Sequence, residues 1–126
     1  MSDLDPAGEQ VRRAVLGDAH VDRAIAATTP FTAAFQEFIT QAVWGSVWTR
    51  PGLDHRTRSM LTLALLAALR HEHELALHVE AAVRVGVTPD EIMEVLLHTC
   101  VYAGVPAGNA AFAVARRVLD ELEIDA

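Results

Sequence analysis

The stretch richest in reactive groups is His71-Glu72-His73-Glu74-Leu75-Ala76-Leu77-His78. Wound as an α-helix at ~100° per residue, it puts His73, Ala76, Glu80 and Arg84 on one side, roughly opposite Leu75, Val79, Ala82 and Val85. His71, Glu74 and His78 turn toward the apolar side, so a polar row is expected there, buried or lining a pocket and in need of partners. Glu74 and His78 are one turn apart. A carboxylate at that spacing can orient an imidazole and raise its pKa, which makes His78 a competent general acid with Glu74 as its catalytic companion. Two plainer readings share these residues. His78 is also compatible with a core histidine satisfied by Glu74, and His-x-x-Glu-x-x-x-His with a row of metal ligands. The HExxH pattern of helical zinc sites is absent, because position 75 is leucine.

Groups suited to holding an anion lie upstream. Arg58, Leu61 and Leu65 fall at i, i+3 and i+7, so Arg58 borders an apolar face, where its planar fork suits a carboxylate. Arg50 is the next candidate, and a snorkelling surface arginine is the ordinary alternative for either. Trp44 and Trp48 are one turn apart before Thr49-Arg50-Pro51-Gly52. Trp44 is a candidate lining residue, with core or interface packing as its alternative. Further on, His98 shares a polar face with Glu91, Glu94 and Tyr102, and Tyr102 is a candidate substrate contact.

Composition narrows what these groups can do. A formal net charge of -7 argues against a nucleic-acid groove or an anionic membrane surface as partner. All ten cations are arginine. Without lysine there is no imine on a protein amine, either directly or through pyridoxal phosphate. A single cysteine, Cys100, excludes an intrachain disulfide and a CxxC pair. The apolar run Met60 to Leu69 is far short of the ~18 residues that span a bilayer. The acidic stretch Met1 to Glu9 lacks the order of a secretion signal, so a cytoplasmic location is expected. Hydrophobic residues make up 52% of the 126, and mean hydropathy is +0.23. So small a domain leaves much of its surface wet, and the surplus is expected between copies of the chain.

The elements that must position these residues are helices in close succession. Apolar residues recur with helical period near 6–16, 19–28, 31–47, 54–70, 72–86, 89–104 and 107–122, and no segment alternates with period two. Thr88-Pro89-Asp90-Glu91 reads as a capping box with proline in the first turn, and Gly86 as the left-handed stop before it. Gly104-Val105-Pro106 closes the penultimate helix, and Ala107-Gly108-Asn109-Ala110-Ala111 lets another helix approach closely. The expected fold is a single all-α domain over residues 1–126, a compact bundle of six to seven helices.

Several of these runs together resemble the carboxymuconolactone decarboxylase family, whose fold is of the alkylhydroperoxidase-like type. They are Gly17-Asp18-Ala19-His20-Val21, Trp44 to Leu53, Arg56-Thr57-Arg58-Ser59, Glu74-Leu75-Ala76-Leu77-His78 and Tyr102-Ala103-Gly104-Val105-Pro106. The resemblance runs from about Gly17 to Leu122. Alkylhydroperoxidase-like relatives carry Cys-x-x-Cys-x-x-x-His on the same helix. With His78 laid on their histidine, His71 and Glu74 occupy the two cysteine positions, so a dithiol peroxidase activity is not implied.

What the resemblance implies is an all-helical homo-oligomer, commonly a hexamer built as a trimer of dimers, acting in protocatechuate breakdown through the β-ketoadipate pathway. The implied substrate is a small lactone dicarboxylate, a butenolide with a ring carboxylate and an acetate arm. Losing CO₂ from such a ring sends electrons through its double bond to the lactone carbonyl, so neither a cofactor nor a metal is required. The protein must then bind a dianion, which assigns Arg58 and next Arg50. It must surround the departing carboxylate with apolar groups, for which Trp44 and the leucines of 61–66 are candidates. It must also stabilise an oxyanion and deliver a proton, which assigns His78 oriented by Glu74. A lactone isomerase or thiol peroxidase on the same scaffold, and a non-catalytic helical assembly protein, are the competing readings.

Overall fold

Helical periodicity throughout gives helices throughout. The computed structural model describes residues 4–125, and among these it contains seven α-helices, one π-helical segment and no strand. The chain divides at His55/Arg56 into two compact units.

The first unit contains α1 (Pro6–Leu16), α2 (Asp18–Ala26), α3 (Ala33–Phe38) and the π-helical segment Ile39–Gly45. Asp5 starts α1 by accepting the Gly8 N–H at 2.8 Å, with proline in the first turn where its missing N–H costs nothing. The Arg13 guanidinium joins α1 to α2, lying 3.0 Å from Glu9, 3.1 Å from Asp18 and 2.9 Å from Asp22. These carboxylates, Asp22 foremost, raise the arginine's already high pKa further. The single helix expected over 31–47 is a correction. It starts as α3 and widens at Ile39 into the π-helical segment, where Thr40 Oγ1 bonds back to the Gln36 carbonyl at 2.7 Å. One extra residue per turn is invisible to a 3.6-residue periodicity.

The second unit carries α4 from its first turn onward (His55–Ala68), α5 (Glu72–Arg84), α6 (Pro89–Ala103) and α7 (Val105–Glu121). Leu63 and Ala67 of α4, Leu75, Val79 and Ala82 of α5, Ile92 and Leu96 of α6, and Ala111, Val114, Ala115, Val118 and Leu119 of α7 form one aliphatic core. Each fully buried leucine or isoleucine there contributes about 1.5–3 kcal/mol. The capping box is present: Thr88 Oγ1 accepts the Glu91 N–H at 3.1 Å, and Glu91 Oε1 accepts the Thr88 N–H at 2.9 Å. Gly104, at φ +100°, turns α6 directly into α7. The small-residue stretch is used as expected: Cys100 of α6 packs so tightly on Gly108 of α7 that no Cβ fits there. One helix stop carries no sequence signal. Arg70 sits at φ +62° after α4, and the His71 N–H reaches the Leu66 carbonyl at 2.9 Å, as in a glycine-terminated helix.

Candidate active site

α5 presents Leu75, Val79, Ala81 and Ala82 to the core, and this fixes where its polar residues point. His78 is half-buried, with its Nδ1 fully enclosed. His71 and Glu74 are exposed, so of the expected polar row only His78 is drawn inward. The reason is axial position. His71 is the N-cap, at φ -93° and ψ 67°, and so lies out of helical phase. Glu74 lies in the first turn, where solvent and the positive end of the helix suit a carboxylate. Among the described residues, no group of three His, Cys, Asp or Glu side chains converges as metal ligands would.

On α4 the buried stripe is Ser59, Leu63 and Ala67. Leu61, Leu65 and Leu69 form a second apolar stripe that faces outward. The leucines expected beside Arg58 as pocket lining are therefore divided, Leu63 inward and Leu61 and Leu65 outward. Arg58 falls on the outward stripe with Leu61 and Leu65, yet it is half-buried and its Nε is enclosed. Tyr102 of α6 is 80% exposed and stacks on His98, ring centroids 5.0 Å apart. Leu97, Val101 and Val105, near it in the chain, are also exposed.

In the first unit Trp44 is buried at the end of the π-helical segment, its ring 4.9 Å from that of Trp48 and tilted by 38°. His55 continues the cluster, its ring 5.8 Å from Trp48 and its Nε2 3.1 Å from the Trp48 carbonyl. Arg50 is exposed in the turn that follows. Arg12 is a buried cation that reading the sequence missed. It is 4% exposed, donates from Nη1 to Gln36 Oε1 at 3.0 Å, and burial lowers its pKa. The signal was available, since Gly8, Arg12, Val15 and Leu16 share the buried face of α1.

Residues 33–117 match the model of the carboxymuconolactone decarboxylase family, about two thirds of the chain. The chain belongs to that family. All six candidate residues, Trp44, Arg50, Arg58, Glu74, His78 and Tyr102, fall within the matched region, whereas Arg12 precedes it. A 4-carboxymuconolactone decarboxylase of Acinetobacter baylyi is 47% identical over 93% of this chain and 87% of its own length. A nitrosuccinic acid decarboxylase of Metarhizium robertsii is 44% identical over 91% of this chain and 80% of its own. A Pseudomonas putida 4-carboxymuconolactone decarboxylase sequence is 59% identical over 39 residues, 31% of this chain and 81% of its own. No described helix is long and apolar enough to cross a membrane.

Proposed function

We propose that this protein decarboxylates 4-carboxymuconolactone to 3-oxoadipate enol-lactone, without cofactor or metal, in protocatechuate breakdown. The observation that carries the reading is the 47% identity to a decarboxylase of that substrate over 93% of the chain. The reaction suits a chain with no lysine and one cysteine. The C–C bond to the ring carboxylate breaks, and its electron pair moves through the ring double bond to the lactone carbonyl oxygen. The resulting dienolate takes a proton on the carbon beside the carbonyl. Substrate structure supplies the electron sink. The protein supplies charge, dryness and a proton.

His78 is assigned the proton and the stabilisation of the oxyanion, which suits a half-buried imidazole on a rigid helix. Glu74, on the same flank of α5, is its companion carboxylate. Arg58, with Arg50 second, holds the substrate carboxylates. Trp44 supplies apolar wall, and Tyr102 is a further contact. The protein works as a cytoplasmic homo-oligomer, a hexamer built as a trimer of dimers. Support for assembly comes from the outward stripe Leu61, Leu65 and Leu69 and from Phe31, which is 94% exposed. An uninterrupted family match across both units supports one functional domain.

The test is purified protein with freshly prepared 4-carboxymuconolactone, following CO₂ and enol-lactone together. Equimolar appearance of both is expected, and substrate that decays only at its uncatalysed rate contradicts the reading. The 44% identity to a nitrosuccinic acid decarboxylase favours a second substrate for comparison. A nitro group beside a carboxylate also accepts the electron pair, as a nitronate, so faster turnover of nitrosuccinate would reassign the substrate and keep the chemistry.

A further inference from the structure

In the first unit, α1 meets the π-helical segment backbone to backbone at Gly8. Gly8 of α1 lies so close to the Thr40 carbonyl that a Cβ there would overlap it, and would stand 3.0 Å from the Gly45 nitrogen. Gly45 in turn faces the Asp5 carboxylate, the same group that caps α1 through the Gly8 N–H. Thr40 and Gly45 lie near the two ends of the π-helical segment, so α1 touches it at both. Wide turns of this kind are rare and concentrate at functional positions. At its end the Val43 carbonyl accepts the Val47 N–H at 3.2 Å and the Trp48 N–H at 3.0 Å, the latter an i to i+5 bond. Trp44 belongs to the segment and Trp48 is the donor of that last bond. The offset between the two rings is therefore fixed by the wide turn.

We propose that Asp5, Gly8 and Gly45 are positioning residues: α1 pins the π-helical segment and thereby sets the Trp44–Trp48 pair. Its bearing on catalysis rests on the reading of Trp44 as substrate wall. A side chain at Gly8 must displace a backbone carbonyl, and the turn that carries Trp44 moves with it. A side chain at Gly45 first meets the end of the flexible Asp5 side chain, which can swing aside when the cap is released. Ordinary close packing at these glycines would leave the indole geometry unchanged once the helices had settled.

The chain has two tryptophans, and they are this pair, so near-ultraviolet circular dichroism and indole fluorescence report on it directly. Gly8→Ala is expected to keep the far-ultraviolet helical spectrum and to alter the coupled indole signal. Ala14→Ser, at an exposed position of α1, should leave both unchanged. Turnover of 4-carboxymuconolactone should fall by up to about a hundredfold in kcat/KM, the order that a misplaced substrate contact can cost. A helical Gly8→Ala protein with the wild-type indole signal overturns the proposal. An altered signal with unchanged turnover supports the positioning role and removes Trp44 from the substrate wall. Should Gly8→Ala not fold, Gly45→Ala is measured in its place: an altered signal supports the proposal, and the wild-type signal overturns it.

Discussion

The two units bury different kinds of side chain. Residues 56–125 enclose an aliphatic core drawn from four helices, and the polar side chains buried with it, Ser59 and Thr99, are small and neutral. Residues 4–55 enclose Val15, Leu16 and Val21, and with them a guanidinium, a threonine and two indoles. An aliphatic core is specified by volume and period, so it tolerates little loss of volume. A mixed interior is specified by individual contacts, and there the outcome of a substitution depends on how well the group removed is partnered and what it cost to desolvate.

The sharpest test of this contrast is Leu75→Ala, which empties a fully buried site in the aliphatic unit. It should cost about 2–5 kcal/mol in chemical denaturation at fixed protein concentration. A loss under 1 kcal/mol would mean that this core collapses freely around the gap. In the other unit Arg12→Met should be neutral or stabilising by about 1 kcal/mol, because methionine fills similar space with no guanidinium to desolvate. Marked destabilisation there would show that Arg12 is held by more than its bond to Gln36. The smallest effect is expected at Arg70→Gly, a gain of a few tenths of a kcal/mol from relieving a left-handed arginine, partly offset by glycine's chain entropy. Thermal melts of both proteins side by side would resolve it, and a lower melting temperature would show that the exposed pairing of Arg70 with Glu72 outweighs the backbone.

The same contrast explains what could be read from the residues alone. Helix positions in 56–125 were legible because apolar period, the Thr88 box and glycines 86 and 104 agree with one another. The direction of α4 was not, since that helix is apolar on two sides and period alone does not choose between Leu63 and Leu65. The π-helical segment depends on a crossing with α1 more than thirty residues earlier in the chain, which no local pattern encodes. At the candidate site the inward turn of His78 followed from its place beside Val79. The exposure of Glu74 followed from its place in the first turn of α5, which apolar period alone does not weigh. Family membership was legible in short motifs that span both units.

The most direct measurement compares CO₂ release from 4-carboxymuconolactone by wild-type protein and by His78→Asn of unchanged oligomeric state. With His78 as proton donor, kcat should fall by roughly 10²–10⁴ while KM for the dianion changes little. In D₂O the wild type should deuterate one face of the new ring methylene, and the residual product of the variant should carry label on both. A His78→Asn protein that keeps wild-type turnover and one-faced labelling would contradict the assignment and move the proton to another group, with Tyr102 and His98 the next to substitute.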